Sequence, residues 1–155
     1  MDRTAFSMSD FAYPAKLVKR KTGAYEVSFV DLDDAFTWGA TLDEALDKAS
    51  EVLSGVILTR LAHEIEIPKP SRASKGKNVV YVLPDAKTQS ALLIRQAFAG
   101  QNVARIARSM ETSWPAVNRL KNPAHWPTLK LLERALRAAG KQLVIGMKDR
   151  GDGGR

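Results

Sequence analysis

Apolar and polar residues alternate along the first forty positions, a pattern that predicts short strands. The runs YPAKLVKR (13–20) and AYEVSF (24–29) place apolar side chains at every second position. Turn residues separate the two runs, so they predict a β-hairpin. Because Pro14 has no N–H to donate to a ladder, we expect the first strand to be an edge strand, or the start of one. A short third strand is predicted over 36–38, ending at Gly39.

A long amphipathic helix is predicted next. Thr41 and Glu44 have the spacing of a capping box. Apolar residues then recur at helical intervals, so we expect a helix over about 42–63. A polar, basic stretch (69–78) indicates a loop, and VVYVL (79–83) predicts a last strand. This order predicts an α+β module, in which one long helix covers a small antiparallel sheet.

The second half has helical periodicity. We expect helices over 90–99 and 103–109, a third that begins at 114, and a fourth between Thr128 and Gly140. The run QLVIGM (142–147) predicts a short strand. The side chains expected to pack inward from the fourth helix are Leu129, Leu132, Ala135, Leu136 and Ala139.

The second and third of these helices have the spacing of a helix-turn-helix. If Val103 is the first position, apolar or small residues fall where the helices cross: Ile106, Ala107, Met110, Val117 and Leu120. Glu111 stands where glycine commonly makes the turn, which counts against the motif: either this residue adopts a left-handed backbone or the turn differs from the usual one. Ser113 suits an N-cap, and Pro115 then lies in the first helical turn, where its missing N–H has no partner to lose. Pro115 therefore starts the third helix and does not break it.

The third helix would be the one that enters the major groove of DNA. Asn118 suits adenine, and Arg119 suits guanine or a phosphate. Trp114 and Pro115 offer apolar contacts, although Trp114 packed on the fourth helix and Arg119 in a surface salt bridge are the alternatives. Amides and basic side chains nearby suit phosphates. The candidate DNA-binding residues are Gln101, Asn102, Arg105, Ser113, Trp114, Pro115, Asn118, Arg119, Lys121 and Asn122, with Arg108 as a further phosphate contact.

Composition excludes several kinds of site. The 155 residues suit one domain or two small ones, and they include no cysteine and only two histidines. We expect no metal and no cofactor. The first ten residues lack the apolar core of a signal peptide, and no stretch approaches the ~20 apolar residues of a membrane span. We therefore expect a cytoplasmic protein.

Charge divides the chain. Residues 1–70 hold 8 Lys and Arg against 12 Asp and Glu, a net charge of −4, whereas residues 71–155 hold 16 against 5, a net charge of +11. A basic half beside an acidic half suggests two modules with different partners. Nucleic acid suits the basic module, because Lys and Arg displace counterions from phosphates. A solvated surface without a partner is the alternative.

The acidic half resembles the HicB-type antitoxins over about residues 11–84. The resemblance rests on YPA (13–15), GAYEVSFVDL (23–32), TWG (37–39), TLDEA (41–45) and IPKPS (67–71). It implies a partly reduced ribonuclease H-like fold and a HicA-type partner, a small basic RNA-cleaving toxin. The chain departs from the family at 33–35, where Pro, Gly and a small residue are usual. Because an acidic surface suits a basic toxin, Asp31, Asp33 and Asp34 are the toxin-binding candidates, with a solvated acidic loop as the alternative.

The second half resembles the Cro/repressor class of helix-turn-helix proteins over roughly 90–140, which implies binding of operator DNA as a dimer or higher homo-oligomer. We expect a toxin-binding domain over 1–84, a DNA-binding domain over 85–148 and a disordered tail over 149–155. The QLVI segment would then pair across a two-fold axis.

These features predict an antitoxin that neutralises its toxin, represses its own operon and is not an enzyme. A stand-alone regulator without a toxin is the alternative. A metal-dependent nuclease is disfavoured, because that chemistry needs carboxylates that converge from several strands. The acids available lie mostly in one loop or at a helix start: Asp10, Asp31, Asp33, Asp34 and Glu44.

Overall fold

A four-stranded antiparallel sheet, one long helix and four shorter helices make up residues 10–72, 76 and 78–149, the part that the computed structural model describes. This confirms the predicted α+β class. The elements are β1 (Tyr13–Lys19), β2 (Tyr25–Phe29), β3 (Phe36–Gly39), α1 (Leu42–Ala62), β4 (Val79–Val82), α2 (Ala86–Phe98), α3 (Val103–Ser109), α4 (Trp114–Leu120) and α5 (Leu129–Ala138).

The sheet has the order β3-β2-β1-β4. Strand β1 is therefore internal, and the prediction that it lies at an edge of the sheet is wrong. The hairpin of β1 and β2 is as predicted, and β4 adds to the far side of β1. Pro14 is tolerated because its carbonyl accepts from the Val30 N–H (3.0 Å), one residue beyond the end of β2. The N–H and C=O of a strand residue face the same neighbour, so the proline omits only a terminal bond of that ladder.

Helix α1 lies on one face of the sheet, and apolar side chains of both form the first core. The Thr41 hydroxyl accepts from the Glu44 N–H (3.2 Å), as the capping box predicts. The Glu44 carboxylate accepts from Ala40 (2.9 Å), one residue before the N-cap residue that the motif specifies. Gly39 lies so close to the start of α1 that a Cβ there would stand 2.4 Å from the Ala45 nitrogen.

Helix α2 begins at Ala86, four residues earlier than predicted. Asp85 is its N-cap: the carboxylate accepts from the Thr88 N–H (2.8 Å), and the Asp85 N–H donates to the Ser54 hydroxyl on α1 (2.9 Å). Ala91 and Leu92 pack against the first core, whereas Ile94, Ala97 and Phe98 are buried in the second. This helix therefore joins the sheet to the helices that follow.

Two predictions in the last third are wrong. Leu129 is the first residue of α5 and stays 64% exposed, because the helix packs through later turns on Leu132, Ala135 and Leu136. The segment 142–147 forms no strand and does not join the sheet of β1 to β4, whereas its pairing with a second copy stays a prediction. Residues 1–9, where no signal peptide is expected, and 150–155, most of the predicted disordered tail, lie outside the described residues, as do 73–75 and 77 in the loop.

Candidate functional sites

Helices α3 and α4 pack against each other through the residues that the spacing places at their contact. The positions expected at the crossing are all buried, with no more than 5% of any side chain exposed: Ile106, Ala107, Met110, Val117 and Leu120. Val103 is half-buried at the start of α3. The second core therefore fixes the angle between the two helices and presents the outer face of α4 to solvent.

The turn between them contains a left-handed residue, Glu111, with φ 53°. Two hydrogen bonds close the end of α3. The Thr112 N–H donates to the Ala107 carbonyl (3.0 Å), and the Glu111 N–H donates to Arg108 (3.0 Å). This is the Schellman arrangement, which glycine usually completes.

Arg134 on α5 also supports this turn, a role that the sequence did not reveal. Its guanidinium donates to the Met110 carbonyl (2.7 Å), at the C-terminal end of α3. The two residues are 24 positions apart, so no local pattern links them. Arg134 also lines a small cleft with Arg119 and His125, beside α4.

Helix α4 begins where the sequence places it. The Ser113 hydroxyl accepts from the Ala116 N–H (3.3 Å), and Pro115 lies in the first turn. Trp114 is 57% exposed, so it does not pack inside the core against α5. Arg119 is exposed and takes part in none of the ion pairs found among the described residues, whereas Asn118 is half-buried. The exposed first turn, together with Arg119, forms one outward surface, which we call the α4 surface.

Three amides named as DNA-binding candidates also have local partners. Gln101 donates to the Ala139 carbonyl (3.0 Å) and accepts from Arg105. Asn102 caps α3 by accepting from the Ala104 N–H (2.9 Å). Asn122 accepts from the Ala124 N–H (2.9 Å) in the turn after α4, where Lys121 is exposed. The oxygens of these amides are therefore committed to holding helix ends and turns.

The three acidic candidates do not form one free surface. The Asp31 carboxylate accepts from both the N–H (2.9 Å) and the hydroxyl (3.1 Å) of Ser71, and it is half-buried. Asp34 pairs with Arg60 (3.1 Å). Asp33 is exposed, with no bond to another described residue. Asp31 thus fastens the chain after α1, and Asp34 binds the last turn of α1 itself. The sequence hides both uses because the partners lie 40 and 26 positions away.

Tyr13 fastens the same segment. Its hydroxyl donates to the Pro68 carbonyl (2.8 Å). Burial, together with the nearby Asp31 charge, raises the pKa of Tyr13 to about 12. The hydroxyl therefore remains a proton donor at any physiological pH, and this bond persists.

Phe36 and Trp38 on the outermost strand, β3, were missed as candidates. They are 70% and 59% exposed, and the Lys48 ammonium lies 5.1 Å from the Trp38 ring centroid. The sequence pattern predicts a strand here but does not say which strand lies at the edge of the sheet.

Two features are absent from the part of the chain that the structure describes. No three His, Asp or Glu side chains come together as candidate metal ligands there. None of the helices is both long and apolar enough to span a bilayer.

Comparison with known proteins identifies the family. A family model described as a HicB-like antitoxin of bacterial toxin–antitoxin systems matches residues 12–88. Antitoxin HicB 2 of Photorhabdus laumondii is 30% identical over 133 residues, which cover 86% of this chain and 94% of that protein. The chain belongs to the HicB antitoxin family.

Other HicB antitoxins match over a similar length. Antitoxin HicB of Escherichia coli K12 is 28% identical over 137 residues, covering 87% of this chain and 98% of the relative. That of Pseudomonas fluorescens is 24% identical over 132 residues, covering 84% and 90%. The family model covers the sheet, α1 and the start of α2, and the matches to whole HicB antitoxins extend well beyond it into the helical half.

Proposed function

We propose that this HicB-family chain neutralises an RNA-cleaving, HicA-type toxin by direct binding and represses its own operon by binding operator DNA. In this proposal residues 1–84 bind the toxin, residues 85–148 bind DNA, and the chain itself has no catalytic role. Because an RNA-cleaving toxin and operator DNA are both found in the cytoplasm, we expect the chain to act there.

The α4 surface is the observation that carries the DNA-binding half of the proposal. A buried crossing of α3 and α4 and a closed turn at Glu111 hold α4 rigidly, while Trp114, Pro115 and Arg119 face outward. A helix presented in this way fits the major groove through its N-terminal end. Arg119 is the residue that we assign to base contact, with exposed Arg105, Arg108 and Lys121 on phosphates.

Family membership and charge support the toxin-binding half. An antitoxin acts on a toxin, and the acidic first half of the chain complements a basic protein, which speeds and orients docking. The association of two copies on DNA is supported by the apolar side chains left exposed after α5. Val144, Ile145 and Met147 are 58%, 71% and 96% exposed. A second copy would cover them.

Co-expression with the product of the neighbouring reading frame tests the proposal. We expect a small basic protein to co-purify with the full chain and to lose its RNA-cleaving activity in the complex. The same complex should bind DNA from the operon's promoter. Sizing with and without that DNA gives the number of copies. A neighbouring product that cleaves RNA equally well with and without this chain would contradict neutralisation and favour a stand-alone regulator.

A further inference from the structure

Strand β3 has an open side in the part of the chain that the structure describes. It pairs with β2 on one side only. The Phe29 N–H donates to the Ala35 carbonyl (3.1 Å), so in this register the Thr37 and Gly39 peptide groups also bond to β2. The N–H and C=O groups of Phe36 and Trp38 therefore point away from the sheet.

The open side has definite ends. The next outward N–H along the chain, that of Ala40, already donates to the Glu44 carboxylate (2.9 Å). At the opposite edge of the sheet, the Tyr81 carbonyl on β4 accepts from the Lys148 ammonium (3.1 Å). Within the described part of the chain, strand β3 is thus the edge that offers a short, unoccupied set of backbone donors and acceptors.

Large apolar side chains accompany these groups. Phe36 and Trp38, two residues apart on one strand, are 70% and 59% exposed. Exposed edges with apolar side chains attract further strands, and proteins commonly protect them with charge or a covering segment. Here the Lys48 ammonium lies over the Trp38 ring, and none of the described lysines or arginines lies over Phe36 in the same way.

The sequence around this edge is mainly acidic, although the Lys48 ammonium lies over Trp38. Residues 30–47 carry six Asp and Glu and no Lys or Arg. Four of these six are exposed, and two of the four, Asp33 and Asp43, lie on either side of β3 in the sequence. A segment that approaches β3 from solvent therefore meets negative charge at both ends, which favours a basic occupant and disfavours a second copy of this acidic sheet.

We propose that the toxin adds an extended, basic segment to β3 as a fifth strand, with Phe36 and Trp38 packing against it. This inference rests on the proposed antitoxin function and assigns its contact surface. Backbone bonds to the edge supply affinity in such strand addition, and the flanking side chains supply specificity.

Amide hydrogen exchange of the full chain, with and without the neighbouring gene's basic protein, tests the strand pairing. We expect the Phe36 and Trp38 amides to exchange quickly in the free chain and at least about tenfold more slowly in the complex. The Thr37 and Gly39 amides, already bonded to β2, provide the internal control. Unchanged exchange at Phe36 and Trp38 in a formed complex would overturn the inference and leave the proposed function intact.

A double variant tests the side chains. Phe36→Ser with Trp38→Ser should raise the Kd for the same protein at least about tenfold, since buried aromatics dominate interface energies. Trp126→Ser is the matched control, because Trp126 is 67% exposed but lies in the helical half. Equal toxin affinity of the double variant and the wild type would overturn the inference alone. No binding by the wild type would overturn the proposed function and this inference with it.

Hydrogen exchange at increasing chain concentration tests the other possible occupant of this edge, a second copy of the chain. If Phe36 and Trp38 become protected in the free chain as its concentration rises, the edge takes a second copy, and the inference is wrong. We expect their exchange to be independent of chain concentration.

Discussion

Glu111 holds a left-handed conformation that L-residues with side chains adopt only with strain, of about 1–2 kcal/mol. Glycine adopts it freely but makes the unfolded chain more flexible. We therefore expect Glu111→Gly to raise the free energy of unfolding by about 0.5–1 kcal/mol, measured by urea denaturation.

Glu133→Gly is the control, because it makes the same substitution at an exposed position inside α5, where it also removes an exposed ion pair with Arg137. There glycine should lower the free energy of unfolding by about 1 kcal/mol. If both variants have a lower free energy of unfolding than the wild type, the Glu111 side chain stabilises the fold by more than its left-handed backbone destabilises it.

Arg119 is exposed on the α4 surface, which suits a base contact. If it recognises a base, Arg119→Ala should weaken operator binding by about 1–3 kcal/mol and leave binding to random DNA nearly unchanged. Arg20→Ala removes the same charge from the β1–β2 turn and should leave both affinities unaltered. An equal loss on operator and random DNA would make Arg119 a phosphate contact. Titration of both DNAs by fluorescence anisotropy measures the difference.

Local signals at single residues were sufficient for much of the helical half. Ser113 caps α4, Pro115 occupies its first turn and Glu111 has a positive φ, because each depends on neighbours within four positions. Asp31 shows the limit. A run of acids in a loop indicates an open surface, yet Ser71, far along the chain, takes up this carboxylate.

The contact between β3 and α1 depends on a missing side chain at Gly39. A Cβ there would stand 2.4 to 2.9 Å from backbone atoms of Glu44 and Ala45, which cannot rotate away. Gly39→Ala should therefore lower the free energy of unfolding by about 1–3 kcal/mol, through separation of the strand from the helix.

Gly55→Ala, in α1 itself, gives the opposite expectation. Gly55 is exposed in α1, and a Cβ at this position would have no neighbour within 4 Å. Alanine should raise the free energy of unfolding by about 0.5–1 kcal/mol, because it restricts the unfolded chain and favours the helix. Thermal unfolding of the two variants compares them directly, and a stable Gly39→Ala would contradict the close packing.

Elements were predicted well where periodicity is strong and poorly where the outcome depends on a distant partner. The hairpin, α1 and α3 follow from their own patterns. The internal position of β1 depends on β4, sixty residues later, which no pattern in YPAKLVKR reveals. The segment 142–147 has the composition of a strand, but a strand also needs another to pair with. The edge position of β3 is known only once the strand order is known.

The two halves of the molecule differ in charge but share α2. Its Leu92 side chain packs on the first core, and Ile94 and Phe98 pack in the second. The two cores therefore meet along one helix rather than across a long flexible connection. In our proposal the toxin binds at the sheet and DNA binds at α4, and α2 packs on both cores. The boundary between residues 84 and 85 therefore separates two functions and not two separately packed parts.

The uneven distribution of charge leads to a prediction about salt. Net charge is +7, but residues 71–155 account for +11. If phosphates are neutralised by that half, the logarithm of the DNA association constant should fall linearly with the logarithm of salt concentration. Replacing Arg105 and Lys121 with Gln should reduce the magnitude of the slope by about 2, one for each phosphate that is no longer neutralised.

The control for this prediction removes equal charge elsewhere. Arg20→Gln with Lys21→Gln lowers the net charge by the same amount, but both residues lie at the β1–β2 turn. For this control variant, the slope of the DNA association constant against salt concentration, on logarithmic scales, should match that of the wild type. Counterions are released only where the protein touches phosphate. If the two double variants changed the slope equally, binding would depend on net charge alone. The α4 surface would then have no special place in DNA binding. Filter-binding or anisotropy titrations between 50 and 200 mM salt, the range over which such slopes are measured, distinguish the two outcomes.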